Sequence, residues 1–216
     1  MPRESLAKKK VRVLEIIKRL QEHYPAAKCS LNFKSAHQLM VATILSAQCT
    51  DERVNIVTRD LFKKYRSIKD FAAADLAELE EDVRTTGFFR NKAKSIKPSA
   101  QQLLEEHGGK IPRTLDELVK LAGVGRKTGS VILGAGYGMA EGVVVDTHVG
   151  RISRLLGLTK EKDPVKVERD LMKILPEEDW IVWSHLMIDH GRALCIARRP
   201  RCGECLLSDV CPGRLE

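Results

Sequence analysis

Apolar positions recur at helical spacing along most of the chain. From Lys8 to His23 they are Val11, Val13, Leu14, Ile17 and Leu20, the stripe of a helix that buries one face. Ser35 and Gln38 form a capping box ahead of Leu39, Val41, Ile44 and Leu45, which predicts a second helix. Asn55–Tyr65 and Asp75–Val83 continue in the same style, and a segment from Asn91 to His107 stops at Gly108-Gly109. Thr114-Leu-Asp-Glu117 is a second capping box, predicted to open a short helix through Leu121; Ala122-Gly-Val-Gly125 breaks it and Arg126–Ala135 starts another. The one β-like run is Gly142–Val145. Asp146 then stands where an N-cap belongs, before Val149, Ile152, Leu155 and Leu156. Asp163-Pro164 marks a further start with proline at the first helical position, and Trp180–Ala193 is the last long helix. No solenoid repeat interrupts the pattern. It predicts an all-α fold of two helical lobes.

Composition narrows the function classes. The 216 residues can bury a core without disulfides, and with aromatics at only 5% they suit helix packing better than a β-sandwich. The longest uncharged stretches, Ser35–Thr50 and Thr128–Ala140, are shorter than the ~18 residues of a membrane span, so no membrane partner is expected. The basic N-terminal run (Arg3, Lys8, Lys9, Lys10, Arg12) has no apolar segment behind it and does not read as a secretory signal. A cytoplasmic protein is expected. Its 37 basic residues against 29 acidic ones, a net charge of +8, suit a polyanionic partner.

Three local patterns carry chemistry. In Leu115–Gly129, two short helices flank a Gly-x-Gly turn (Gly123, Val124, Gly125), followed by Arg126, Lys127 and Thr128. Such a turn leaves backbone N–H groups uncovered at a helix start, a site suited to a DNA phosphate. Four of six cysteines crowd into the last 22 residues as Cys195-x6-Cys202-x2-Cys205-x5-Cys211. Four thiolates fit a cubane iron–sulfur cluster, and the spacing alone also leaves zinc open. Arg198, Arg199 and Arg201 lie between the first two of them, a cationic finger for phosphates. The solitary Cys29 and Cys49 read as small apolar residues near a core.

The hairpin resembles the helix-hairpin-helix motif of DNA glycosylases. Val143-Val-Val-Asp146-Thr-His-Val-Gly-Arg151 is similar to the segment bearing their catalytic aspartate, and the cysteine cluster to the [4Fe-4S] loop of the endonuclease III branch. Leu45-Ser-Ala-Gln48-Cys-Thr-Asp51 and Gly87-Phe88-Phe89-Arg-Asn-Lys92 resemble that branch's two base-displacing loops. The motifs run in the same order from Leu45 to Cys211. The resemblance implies a six-helix barrel over residues 28–137 with the hairpin at about 115–135. A second, discontinuous lobe of residues 1–27 and 138–216 would hold the cluster loop 195–211, with DNA across the cleft between Lys127 and Asp146. It further implies a monomeric, nucleoid-associated glycosylase and abasic-site lyase acting on oxidised pyrimidines in double-stranded DNA.

In that branch a lysine at the position of Lys127 attacks C1′ of the damaged nucleotide. An amine must be deprotonated to attack; a helix start, burial and the neighbouring Arg126 would all favour that form. Asp146 would stabilise the sugar as the base leaves. Gln48 would fill the hole beside the orphan base and Phe88 would act as the wedge, with Phe89 its competitor. His148 and His190 read as packing or backbone-supporting residues. The adenine-mismatch glycosylases of the same superfamily fit less well: they lack the lysine and carry a glutamate in the helix corresponding to Ser35–Thr50, which here has no acidic residue. A non-catalytic DNA-binding scaffold would be expected to lose Lys127 or Asp146. A small electron carrier would need neither hairpin nor basic body.

Overall fold

The computed structural model describes residues 4–215, and among them all regular structure is helical. Arg3 of the basic N-terminal run lies outside the described residues. The helices are α1 (Leu6–His23), α2 (Ala36–Leu45), α3 (Asp51–Lys64), α4 (Ile68–Ala73), α5 (Leu76–Asp82), α6 (Phe89–His107), α7 (Leu115–Leu118), α8 (Arg126–Tyr137), α9 (Thr147–Leu155), α10 (Pro164–Met172) and α11 (Trp180–Ala193). The chain divides into two compact units, one of Cys29–Glu141 and one of Met1–Lys28 with Gly142–Glu216. No helix among the described residues is long and apolar enough to cross a membrane.

The unit Cys29–Glu141 is organised around α2. That helix carries no charge and buries Leu39, Met40, Val41, Ala42, Ile44 and Leu45, so it is apolar nearly all round and belongs inside. α3, α6 and α8 pack on it, and α4 and α5 pack on α6. Helices α2–α6 and α8 make the six-helix barrel, while α7 is a single turn that delivers the chain to the hairpin. Cys29 and Cys49 are half-buried against this core, as small apolar residues would be.

In the other unit α11 packs against α1 and α9, around a fully buried Trp183. Arg12 and Arg19 of α1 tie this unit's C-terminal loop down. Arg12 Nη1 donates to the carbonyls of Leu156 (2.8 Å) and Val210 (3.2 Å), and Arg19 Nη1 donates to that of Leu206 (3.0 Å).

Several local expectations are corrected by how side chains choose partners. Ser35 accepts from the Gln38 N–H at 3.5 Å, but Gln38 Oε1 accepts from the Lys34 N–H rather than that of Ser35, so the box is half formed. Thr114 spends its hydroxyl on the Glu117 carboxylate at 2.6 Å and caps no backbone; α7 ends at Leu118, short of Leu121. A complete capping box stands instead at Ser67 and Asp70, opening α4. Gly142–Val145 forms no strand, because among the described residues no partner strand exists to pair with it. Its backbone is held by the Ser184 hydroxyl, which donates to the Val144 carbonyl at 2.8 Å.

Candidate active site

The hairpin between α7 and α8 is shaped by what its glycines leave out. A Cβ at Gly129 would stand 2.7 Å from Leu115 Cδ1, so its absence lets the two helices close on each other. Gly123 has φ +73°, and a Cβ there would lie 2.3 Å from Ser95 Cβ; the turn rests directly on α6. The Ala122 N–H adds a second tie by donating to Gln102 Oε1 at 2.8 Å. Val124 is buried and donates its N–H to the Leu121 carbonyl, so its side chain serves the core rather than the surface.

Gly125 is the N-cap of α8 and provides no capping side chain. By contrast α1–α5, α9 and α10 each begin at a Ser, Thr or Asp whose side chain accepts from the first turn. No N-cap side chain covers the first turn of α8, and the helix dipole favours an anion there. Arg126 and Lys127 follow at once, both exposed, and Thr128 is half-buried. Burial of Lys127 was one of the effects anticipated to favour its neutral amine. The chain does not supply it.

Gln48 and Phe88 are, among the described residues, the two non-glycine positions with positive φ, at +53° and +47°. Each such residue costs about 1–2 kcal/mol, which the surroundings must hold in place. Gln48 is exposed in the link between α2 and α3. Phe88 is the N-cap of α6 and is 62% exposed, whereas Phe89 packs against the core with the Arg90 guanidinium over its ring. Of the two neighbouring rings, Phe88 is the one presented to solvent.

In the other unit Asp146 is half-buried at the start of α9, and its Oδ1 accepts from the Val149 N–H at 2.8 Å. The four clustered cysteines line one cavity of about 210 Å³ and lie within electrostatic reach of one another. Among the described residues no three His, Cys, Asp or Glu side chains converge tightly enough for a single ion. Four thiolates on zinc would close to about 2.3 Å from one point and leave no such space. The donor set and its spacing fit a cluster with its own volume.

Donors surround these sulfurs. Arg151 Nη1 donates to Cys195 Sγ at 3.4 Å and its Nη2 to the Cys195 carbonyl at 2.6 Å; the N–H groups of Leu207 and Leu215 donate to Cys205 and Cys202 Sγ. His190 is buried, with Nε2 3.6 Å from Cys205 Sγ and Nδ1 3.3 Å from Tyr24 Oη. Desolvation pushes its pKa down to about 4, so the ring is neutral. Burial pushes the Cys205 and Cys211 thiols up; metal ligation reverses that by holding them as thiolates. His190 thus packs as expected but also meets the Cys205 sulfur, as Arg151 meets that of Cys195. Neither role is visible in the sequence, because the partners are 15 and 44 positions away. His148 packs against Gly191, where a Cβ would lie 2.3 Å from its Nδ1. Arg198 and Arg199 are exposed, while Arg201 is paired with Glu204.

Residues 41–177 match the family model described as HhH-GPD superfamily base excision DNA repair protein, and residues 195–211 match the iron-sulfur binding domain of endonuclease III. The chain is 52% identical to Endonuclease III of Synechocystis sp. over 96% of its own length and 94% of the relative's. It is 45% identical to Endonuclease III of Bacillus subtilis over 89% and 88%. Among solved structures it is similar to a trapped endonuclease III–DNA covalent intermediate, at a TM-score of 0.89 and 41% identity over 94% of this chain and 96% of that one.

Proposed function

Because the chain belongs to the endonuclease III family of the HhH-GPD superfamily, we propose that it excises oxidised pyrimidines from double-stranded DNA and cuts the strand at the resulting abasic site. The observation that carries this reading is the start of α8, an uncapped helix N-terminus behind a Gly-x-Gly turn with an exposed lysine as its second residue. The positive end of α8 and Arg126 hold a backbone phosphate, with Gly123 and Gly125 letting that phosphate approach. Lys127 is thereby placed beside the sugar of the bound nucleotide. With Lys127 exposed, the water around its amine is displaced by the DNA itself.

The damaged nucleotide leaves the stack, at a cost of a few kcal/mol. Gln48 and Phe88 enter the space it vacates. Lys127 Nζ attacks C1′ as the C1′–base bond breaks; the nitrogen gives up one proton and the C1′–O4′ bond opens with a proton delivered to O4′, leaving a protonated Schiff base on the opened sugar. Removal of a C2′ proton then expels the 3′ phosphate, which cuts the strand. Asp146 stabilises positive charge on the sugar and assists the proton transfers. Cys195, Cys202, Cys205 and Cys211 hold a [4Fe-4S] cluster. The cluster supplies folding energy to the loop that carries Arg198, Arg199 and Arg201, because such a site does not preform in an unfolded chain. The protein works as a monomer on chromosomal DNA, in the cytoplasm.

Borohydride trapping tests the assignment. With a duplex carrying thymine glycol, the wild-type protein becomes covalently attached to DNA and Lys127→Gln does not, while still binding the duplex. Undiminished trapping by that variant would move the nucleophile elsewhere.

A further inference from the structure

Lys92 takes no part in the chemistry above, yet only 4% of it is exposed. Burying an ammonium is costly unless its donors are used, and a methionine would fill the same volume without that cost. The side chain lies one turn into α6, and its Nζ donates to the Thr86 carbonyl at 2.7 Å. Thr86 is itself buried, with its hydroxyl on the Val83 carbonyl at 2.8 Å. Desolvation pushes the Lys92 pKa down, and the Cys49 sulfur is near enough to oppose that shift. Thr86 stands two residues before Phe88, and Cys49 immediately follows Gln48. The ammonium is therefore fixed to a carbonyl two residues ahead of the left-handed Phe88.

We propose that Lys92 is a positioning residue for the second of the two base-displacing loops, holding Phe88 in its strained conformation so that the ring is ready to enter the DNA. The proposal rests on the reading that these loops displace the base. Anchoring the Thr86 carbonyl fixes the chain just ahead of Gly87 and Phe88, where φ is +71° and +47°. Without the anchor the backbone can relax to ordinary angles, and the ring is no longer presented before DNA arrives.

The test compares Lys92→Met with wild type on thymine glycol in a fully paired duplex and on the same lesion opposite a gap, where less stacking must be broken. Amide hydrogen exchange of the free proteins is measured alongside. Excision from the paired duplex falls roughly tenfold, the equivalent of about 1.4 kcal/mol, while excision opposite the gap stays near wild type. Exchange quickens at 84–88. Lys92→Gln, which keeps an N–H donor on a shorter stem, gives an intermediate loss and covers the case in which the methionine variant folds poorly. Adding Phe88→Ala to Lys92→Met costs less than the product of the single effects. Equal losses on both substrates, or unchanged exchange at 84–88, would overturn the proposal. If Gln48→Ala and Phe88→Ala themselves lose equally on both substrates, the displacing-loop reading fails first, and the proposal with it.

Discussion

Gly123→Ala is the sharpest perturbation of the hairpin, because two separate costs meet at one atom. The residue has φ +73°, and a side chain in that region costs about 1–2 kcal/mol. The new methyl would also lie 2.3 Å from Ser95 Cβ and 2.7 Å from Ser95 Oγ, inside any real contact distance. Relieving such an overlap by shifting backbone costs about 1–3 kcal/mol. The sum, about 2–5 kcal/mol, lowers the melting temperature on the order of 10 °C at ~2–4 °C per kcal/mol. It also moves the hairpin off α6 and lowers borohydride trapping. Ser95→Gly removes both clashing atoms but leaves the positive φ, and a helical glycine costs about 0.5–1 kcal/mol of its own. Gly123→Ala/Ser95→Gly therefore regains the steric share and keeps the conformational one, so its melting temperature lies between wild type and the single variant. Gly125→Ala is the control: nothing lies within 4 Å of its Cβ, so the fold is kept while the methyl crowds the phosphate site. A double variant no better than Gly123→Ala, or a Gly125→Ala that melts as early, would refute the contact argument.

Asp146→Asn keeps an N-cap of equal quality for α9, so its stability should match wild type while base removal slows more than cleavage of a preformed abasic site; unchanged base removal would leave Asp146 with capping alone. Purified protein should be yellow-brown with about four irons per chain, and Cys202→Ser should lose iron and DNA affinity together; a colourless, zinc-loaded and active preparation would contradict this. Tyr65 is raised to about 12, first by desolvation and then by its hydrogen bond to Asp82. Between pH ~10 and 12 the folded state holds a proton that the unfolded state has lost, so stability falls as pH rises through that window. Tyr65→Phe should flatten the fall seen in melts at pH 9–12; an unchanged slope would place the titrating group elsewhere.

What the sequence discloses depends on how far a residue's partner lies along the chain. The caps at Asp146 and Asp163 are legible because donor and acceptor are three residues apart. Thr114 has the same local pattern and fails, because its hydroxyl is taken by the carboxylate that was to complete the box. Gly142–Val145 has strand-like residues, but a strand exists only with a partner, and a single short run cannot reveal that none is there. The four cysteines announce themselves by crowding, whereas Arg151 and His190, which touch two of their sulfurs, look like ordinary helix residues. The same distinction separates the hairpin from Lys92. A Gly-x-Gly turn must bend wherever it occurs, so its chemistry travels with its residues. A lysine is a surface residue by default, and only the fold, by burying this one on α6 and aiming its ammonium at the Thr86 carbonyl, sets it just ahead of the strained Phe88.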